Sequence, residues 1–219
     1  MATSILNSLR GRVMRLTRLD ECGVPVVGAC SSIVTAGFIT VEFAPEVEAG
    51  EEYTSKNAWG DFCIDEKAGD WNKWVNVNIS MCEVNPDVLD LVGGGNAITD
   101  GSDTIGSSFG QDNSLAGFAV EVWTKQAGGA CAAGTPEWGY FLAPYCINGA
   151  LSGGVTIENG VLTVSMKGEG QPAVADWGVN PYGDNPLLTA AGMPTGDLWA
   201  VVRTTIQPPA VTVGCVALA

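Results

Sequence analysis

The sequence predicts a mostly-β protein, with two sheets or a barrel and one short helix. Three observations predict this fold class. The segment Lys73–Cys82 alternates apolar and polar residues, a period of two that is typical of strands. The 29 glycines and 11 prolines are scattered along the 219 residues and indicate many turns. Only Asn85–Gly93 has both the start and the stop signals of a helix.

The composition favours one folded domain. Hydrophobic residues make up 46% of the chain and charged residues 16%, which is enough apolar material for a core. No repeat and no shift in composition marks a second domain. We predict a single domain over residues 1–207, with an N-terminal arm of residues 1–12. Residues 208–219, which begin at Pro208, are expected to be a tail that becomes ordered only on a partner.

Two strands are predicted before the clearest one. Val13–Leu19 is half polar and predicts an edge strand, and Phe38–Phe43 alternates cleanly. In Lys73–Cys82 the apolar residues point one way, towards a core. The opposite side is polar and uncharged and is expected to face water or a channel; it consists of Asn76, Asn78 and Ser80.

The helix and the later strands follow from local signals. Asn85 suits the N-cap, Pro86 the first helical position, Asp87 the positive end of the helix dipole and Gly93 the end. Val155–Met166 predicts a hairpin around Asn159-Gly160. Further strands are predicted at Phe118–Thr124, Trp138–Ala143 and Leu198–Ile206, and linking loops at Thr99–Ser114 and Gly168–Asn185.

Seven cysteines are present without a CxxC pair or zinc-knuckle spacing. This pattern favours reduced, buried thiols that act as small apolar residues. One or two disulfides are the alternative.

Charge excludes one class of function and marks one segment. A net charge of −14 argues against nucleic-acid binding through phosphate contacts, which require clustered lysine and arginine. The segment Val41–Cys63 concentrates acid, with Glu42, Glu46, Glu48, Glu51, Glu52 and Asp61 beside Lys56. Within this segment we expect Ala49–Gly60 (AGEEYTSKNAWG) to be a long, solvated loop between two strands, suited to reaching another subunit.

Motifs of catalysis are incomplete. Gly106–Gly110 (GSSFG) matches a nucleophile elbow around Ser108, but the chain contains no histidine to accept the serine proton. Gly101–Ser108 imitates a phosphate loop, with Ser107 in place of the lysine. We therefore predict no catalytic residue, no cofactor and no metal site.

Two other classes of function stay open as alternatives. One is a binding module for glycan or Ca²⁺, whose aromatic residues would be Trp59, Trp71 and Trp74. The loop acids Asp100, Asp103 and Asp112 are candidate calcium ligands, although their spacing matches no known calcium loop. The other is a glycoside hydrolase with Asp61 and Asp65 as its carboxylates.

Several blocks of the sequence resemble, in the same order, the major tail proteins of long-tailed phages that infect actinobacteria. The resemblance is most specific in Thr17–Gly28 and Gly37–Gly94. It continues in Gly117–Thr124, Gly139–Tyr145, Val155–Asn159 and Trp177–Tyr182. It implies a tail-tube-like β-sandwich or half-barrel with one short helix, a long inter-strand loop and an N-terminal arm.

The resemblance also implies a function without enzymatic activity. Subunits of this kind form hexameric rings that stack into a tube around a tape-measure protein, meet terminator and tip proteins, and let DNA pass without specific binding. The protein would be made in the host cytoplasm and reside in the virion tail, away from membranes. Asn76, Asn78 and Ser80 would face the lumen.

The resemblance and the charges together predict the contacts between subunits. A basic arm can meet an acidic loop on a neighbouring copy, a self-propagating contact. The expected contact residues are Arg10, Arg12, Arg15 and Arg18 in the arm, and Glu46, Glu48, Glu51, Glu52, Tyr53 and Lys56 in the loop.

Overall fold

The computed structural model describes residues 8–83, 85–93, 95–101, 103–110, 117–126, 136–156, 163–174 and 193–218. Within these residues the protein is mostly β, as predicted, and its sheets do not close into a barrel. The elements, in chain order, are β1 (Ser8–Arg18), β2 (Gly28–Thr35), β3 (Phe38–Glu48), β4 (Glu52–Lys56), β5 (Phe62–Lys67), β6 (Trp71–Met81), α1 (Pro86–Gly93), β7 (Asn96–Asp100), β8 (Asp103–Ser108), β9 (Phe118–Gln126), β10 (Trp138–Thr156), β11 (Thr163–Gly170), β12 (Ala200–Thr204) and β13 (Val216–Leu218).

The long strand β10 joins the two halves of a nine-stranded sheet, in which eight strands have the order β13-β2-β1-β9-β10-β11-β6-β3 and the ninth, β12, pairs with β10 off this path. Its first part pairs with β9 and β12, and its second part pairs with β11. The register breaks between Ala143 and Cys146, and Asn148 has a φ of 54°. These irregularities bend the strand, so that the two halves of the sheet pack face to face.

The main core lies between these halves, and α1 packs against it. The helix contributes Val88, Leu91 and Val92. A Cβ added at Gly149 of β10 would lie 1.9 Å from the Val92 carbonyl oxygen, so only glycine admits the helix here. The core residues of the strands are Met14, Leu16, Ile33, Val75, Val77, Ile79, Met81, Phe118, Val120, Val122, Ala143, Cys146, Val164 and Met166.

A second, smaller core covers the outer face of β9 and β10. Trp123 and Tyr140 are its largest fully buried members, and their rings meet edge to face at 5.0 Å. The other members are Leu19, Ala119, Leu142, Ala173 and Met193. Strand β9 is therefore buried on both faces, which explains the nearly continuous apolar run Phe118–Trp123, interrupted only by Glu121.

The alternation predicted for β6 is confirmed. Val75, Val77, Ile79 and Met81 are at most 2% exposed, whereas the intervening polar residues are half-buried. The helix signals are confirmed as well, because the Asn85 Oδ1 accepts a hydrogen bond of 2.9 Å from the Asp87 backbone N–H. The hairpin pairing of β10 with β11 is present at Thr156↔Thr163, while Asn159-Gly160 lies outside the described residues.

The predicted edge position of β1 and the predicted N-terminal arm are wrong for the described residues. Strand β1 lies between β2 and β9. Residues 8–12 belong to it, with Arg10 opposite Lys125 and Gly11 opposite Thr124; residues 1–7 lie outside the described part. Of the polar residues that suggested an edge strand, Arg15 and Thr17 are buried, and Glu121 of β9 is the partner of Arg15.

The predicted C-terminal tail is ordered by the domain itself. Strand β13 pairs with β2, and the Leu218 backbone N–H donates to the Ser31 Oγ at 2.8 Å. Cys215 forms a disulfide with Cys30. The prediction of reduced thiols is therefore wrong for this pair, and the alternative of a disulfide is confirmed.

Two predicted loops contain strands. The predicted loop Thr99–Ser114 overlaps the hairpin β7–β8, which pairs from Asn96↔Ser108 to Asp100↔Asp103; residues 102 and 111–114 lie outside the described part. The predicted loop that starts at Gly168 overlaps the end of β11, which extends to Gly170; residues 175–192 lie outside the described part. The strands of β7–β8 are short and mostly polar, so they lack the long apolar alternation by which the sequence reveals a strand.

A buried ion pair links three neighbouring strands on the outer face. Arg15 of β1 donates to both carboxylate oxygens of Glu121 in β9, at 2.5 and 2.8 Å. The Tyr140 hydroxyl of β10 donates to the same carboxylate at 2.7 Å, and the Arg15 guanidinium lies 5.4 Å from the centre of the Trp123 ring. Burial, followed by the charge of Glu121, raises the pKa of Tyr140 well above its usual value, so the phenol stays protonated as a donor.

Removing Arg15 should destabilise the protein strongly. Arg15→Met leaves the Glu121 carboxylate buried without its cation, and we expect the free energy of unfolding to fall by about 3–5 kcal/mol. Arg18→Met is the matched control on the same strand, because the Arg18–Asp90 pair is partly solvated and should contribute less than about 1 kcal/mol. Urea unfolding of both variants gives the comparison; equal losses would contradict this account.

Candidate assembly surface

A two-stranded ribbon, β4–β5, projects from the ends of β3 and β6. Its strands pair antiparallel from Glu52↔Lys67 to Lys56↔Phe62. Every residue from Glu51 to Lys73 is exposed. The segment predicted as a solvated loop is thus solvated, but its backbone hydrogen bonds are satisfied as a hairpin instead of a loop.

Asn57 shapes the tip of the ribbon. Its side-chain oxygen accepts hydrogen bonds of 2.9 Å from the backbone N–H groups of Trp59 and Asp61, the local pattern for which asparagine is favoured in turns. Gly60 has a φ of 88°, a conformation that glycine adopts readily. This turn presents the Trp59 side chain at the tip, 92% exposed.

The base of the ribbon is clamped by Asp70. Its Oδ1 accepts a hydrogen bond of 3.0 Å from the Gly50 backbone N–H and lies 3.2 Å from the Lys67 ammonium. The Gly50 N–H and then Lys67 hold the pKa of Asp70 below its usual value. Just below the clamp, Lys73 of β6 pairs with Glu48 of β3 at 3.0 Å.

The ribbon carries bulky apolar side chains on both of its faces. Tyr53 and Ile64 share one face, and both are more than half exposed. Phe62 is 58% exposed and lies opposite Lys56, whose ammonium is 4.5 Å from the centre of its ring. An isolated two-stranded hairpin is only marginally stable in water. The exposed apolar groups are therefore the natural contact for a second surface.

The ribbon is also strongly acidic. Residues 50–70 contain two lysines and six acids, a net charge of −4. Among the predicted contact residues, Glu52 lies opposite Lys67. The Glu51 carboxylate accepts the Tyr53 hydroxyl, and this hydrogen bond raises the pKa of the Tyr53 phenol.

In contrast to the acidic ribbon, the start of β1 carries a cluster of positive charges. Arg10 and Arg12 are exposed, and Arg10 is directly opposite the exposed Lys125 of β9. Like charges that face each other across strands are destabilising. Among the ion pairs of the described chain, none involves these three side chains. We call Arg10, Arg12 and Lys125 the cationic patch.

Two of the four predicted arm arginines are engaged within the chain. Arg15 is buried against Glu121, so its prediction as a contact between subunits is wrong. Arg18 pairs with Asp90 at 2.7 Å and is not a free cation either. Lys125 was missed, because its position beside Arg10 follows from the pairing of two strands far apart in the sequence.

The predicted lumen residues lie together on one solvent-facing side of the sheet, but this face is not uncharged. The Asn78 amide donates to Glu42 at 3.2 Å and the Asn76 amide to Glu46 at 3.3 Å. Ser80 lies 3.4 Å from Ser165. The pattern of β6 alone suggested a neutral surface, whereas β3 adds carboxylates to it. The residues of this acidic face are Glu42, Glu46, Asn76, Asn78, Ser80, Ser165, Lys167 and Glu169.

The residues of the alternative functions are dispersed or structural. Asp61 closes the ribbon turn, and its carboxylate accepts the Asn57 amide at 3.3 Å. Asp65 is exposed opposite Thr54. The hydroxyl of Ser108, centre of the rejected nucleophile motif, donates to the Asn96 carbonyl. Of the proposed calcium ligands, Asp100 pairs with Asp103 across β7–β8, and Asp112 lies outside the described residues.

The clamp at the base of the ribbon should depend on pH. Because the folded-state pKa of Asp70 is lowered, the clamp is present above the ordinary pKa of 3.8 and is lost as the pH falls through the lowered value. The amide resonance of Gly50, followed by NMR, should shift below pH 3.8. Asp70→Asn should abolish this step and Asp65→Asn should retain it; a step above 3.8 in the unmutated protein would refute the assignment.

No protein-family model matches the chain, and no curated protein matches it. The helix of the described residues is too short to cross a membrane.

Proposed function

We propose that this chain is a self-assembling structural subunit of a phage tail tube, in which the β4–β5 ribbon of one copy packs against a neighbouring copy. One observation carries the proposal: the ribbon exposes Tyr53, Trp59, Phe62 and Ile64 on a strongly acidic projection whose two strands are paired. Full burial of such a side chain contributes about 1.5–3 kcal/mol, so partial burial of four provides several kcal/mol for association.

The charges indicate which surfaces of two neighbouring copies meet. The acidic ribbon is complementary to the cationic patch of Arg10, Arg12 and Lys125, and the two surfaces are different parts of the same chain. A contact between unlike surfaces is heterologous, and it generates rings or filaments instead of closed dimers. Charge complementarity also steers the encounter and fixes its orientation.

The free edge of β3 is a second route to assembly. Within the described residues β3 pairs only with β6 and ends the sheet. An edge strand of eleven residues offers unpaired backbone groups to another chain. Pairing of this edge with a neighbouring copy would extend the acidic face from subunit to subunit around a ring.

The acidic face suits the wall of a channel for DNA. Carboxylates repel phosphates, and without clustered lysine and arginine there is little counterion release to hold a polyanion. We accordingly propose that hexameric rings stack around a tape-measure protein in the virion tail, bounded by terminator and tip proteins. DNA then passes without specific binding, and the subunit has no enzymatic activity.

Reversing charge on the ribbon should weaken association, and reversing it on the patch should restore it. We expect Glu51→Lys with Glu52→Lys to lower the association constant at low salt without unfolding the domain. Adding Arg10→Glu and Arg12→Glu should recover most of the lost association, because the substituted ribbon positions are then positive and the substituted patch positions negative. Light scattering and negative-stain electron microscopy at high protein concentration measure ring and tube formation.

The control for this exchange is Glu83→Lys with Asp100→Lys, which changes net charge equally on exposed residues outside the ribbon. If the control weakens assembly as much as the ribbon variant does, the specific contact is refuted. A protein that stays monomeric and binds sugar or Ca²⁺ in calorimetry would support the binding module instead.

Removing apolar surface from the ribbon should reduce assembly without changing stability. Phe62→Ser with Ile64→Ser takes away two exposed side chains, so the free energy of unfolding should change by no more than about 0.5 kcal/mol per residue. Tube formation at high salt, where charge is screened, should fall clearly. Ile105→Ser, a matched exposed isoleucine on β8, should leave assembly unchanged; equal assembly by both variants would count against the apolar contact.

A further inference from the structure

Three segments that are distant in the chain meet beside the first turn of α1. Cys30 lies in β2, Asp87 lies in the helix and Cys215 precedes β13. The two sulfur atoms and a carboxylate oxygen of Asp87 all lie within 4.8 Å of one another, and all three residues are half-buried. In the described part of the chain, this is the one group of three cysteine or acidic side chains that is so compact.

Asp87 is held towards the two sulfurs by the backbone. Its Oδ2 accepts a hydrogen bond of 3.0 Å from the Cys215 N–H. A Cβ added at the preceding Gly214 would lie 3.2 Å from this same oxygen, and Gly214 has a φ of 87°. The tight glycine turn thus brings the C-terminal segment onto the carboxylate.

The donor set is one that zinc accepts. Thiolates and carboxylates both bind Zn²⁺, at about 2.3 and 2.0–2.2 Å, in tetrahedral sites, and thiolate ligands select zinc over Mg²⁺ or Ca²⁺. Two sulfurs bound to one tetrahedral ion lie about 3.8 Å apart. Strand β13, which follows Cys215, has three residues and pairs with β2 at two positions, so a small shift of this short strand can provide that separation.

We propose that Cys30, Cys215 and Asp87 form a Zn²⁺ site when the disulfide is reduced, with water as the fourth ligand. A dithiol or phosphine reductant supplies two electrons, the S–S bond breaks, and each sulfur takes up a proton. Zn²⁺ then displaces these two protons and binds both thiolates and the carboxylate. The ion joins the two segments that the disulfide joins, and also α1 through Asp87, so β13 stays attached to β2 in either redox state.

This inference is independent of the proposed assembly, since the residues lie outside the ribbon, the cationic patch and the acidic face. It concerns the attachment of the C-terminal strand alone. In a reducing compartment the cysteine pair exists as thiols, and the zinc-bound form is then the state that keeps this end of the chain in place.

The test compares the oxidised and the reduced forms of the same full chain. Protein reduced with a phosphine and freed of metal by a chelator should bind one equivalent of Zn²⁺ and release two protons, and Co²⁺ should give sulfur-to-metal charge-transfer bands. Oxidised protein should show neither. Equal binding by both forms, or no binding by the reduced form while circular dichroism shows it folded, would overturn the proposal.

Variants assign the ligands. Cys30→Ser and Cys215→Ser should each abolish the charge-transfer bands or reduce them to one thiolate, and Asp87→Asn should weaken Zn²⁺ binding at least about tenfold. Cys22→Ser, which alters an exposed free cysteine, is the control and should bind as the unmutated chain does. If Cys22→Ser loses the metal, or if Cys30→Ser and Cys215→Ser keep it unchanged, the assignment is wrong. Should a variant unfold, the comparison of redox forms still decides.

Discussion

The buried contact of Arg15 with Glu121 is the constraint on which the arrangement of the central strands depends. Two charges taken out of water need geometrically good partners, and here the guanidinium makes two hydrogen bonds to the carboxylate while Tyr140 supplies a third. These bonds fix β1, β9 and β10 side by side in one register. A shift of the strand register by one residue would place the charged side chains in the main core and the apolar side chains outside it. The ion pair therefore contributes more to selecting the register of the sheet than to its net stability.

The sequence predicts those parts of the fold whose cause is local. The alternation of β6 and the capping of α1 by Asn85 depend on neighbouring residues alone, and both are confirmed. The place of β1 in the sheet depends on Glu121, which is 106 residues from Arg15, and the order of the C-terminal segment depends on a disulfide that spans 185 residues. A local sequence pattern cannot reveal partners so far apart. For this reason the polar residues of β1 predict an edge strand, and Pro208 predicts the start of a tail.

The candidate site follows the same division. The concentration of acid near Glu51 is visible in the sequence, whereas its organisation as a ribbon is not, because a hairpin without a core has no apolar periodicity. The structure differs most from the sequence prediction in the basic residues. Arg15 is buried, and Lys125 lies beside Arg10 because β1 pairs with β9. The acidic face likewise could not be predicted from one strand. Its amides belong to β6, and its carboxylates Glu42 and Glu46 belong to β3.

The attachment of the ribbon has a mechanical consequence. The ribbon continues from β3 and β6, and β6 pairs with β11 in an unbroken series from Val75↔Gly170 to Met81↔Val164. A pull on the Trp59 tip along the ribbon therefore loads all rungs of this ladder in parallel, as shear, instead of peeling them one at a time. A projection built in this way can bear tension while the domain behind it keeps its shape.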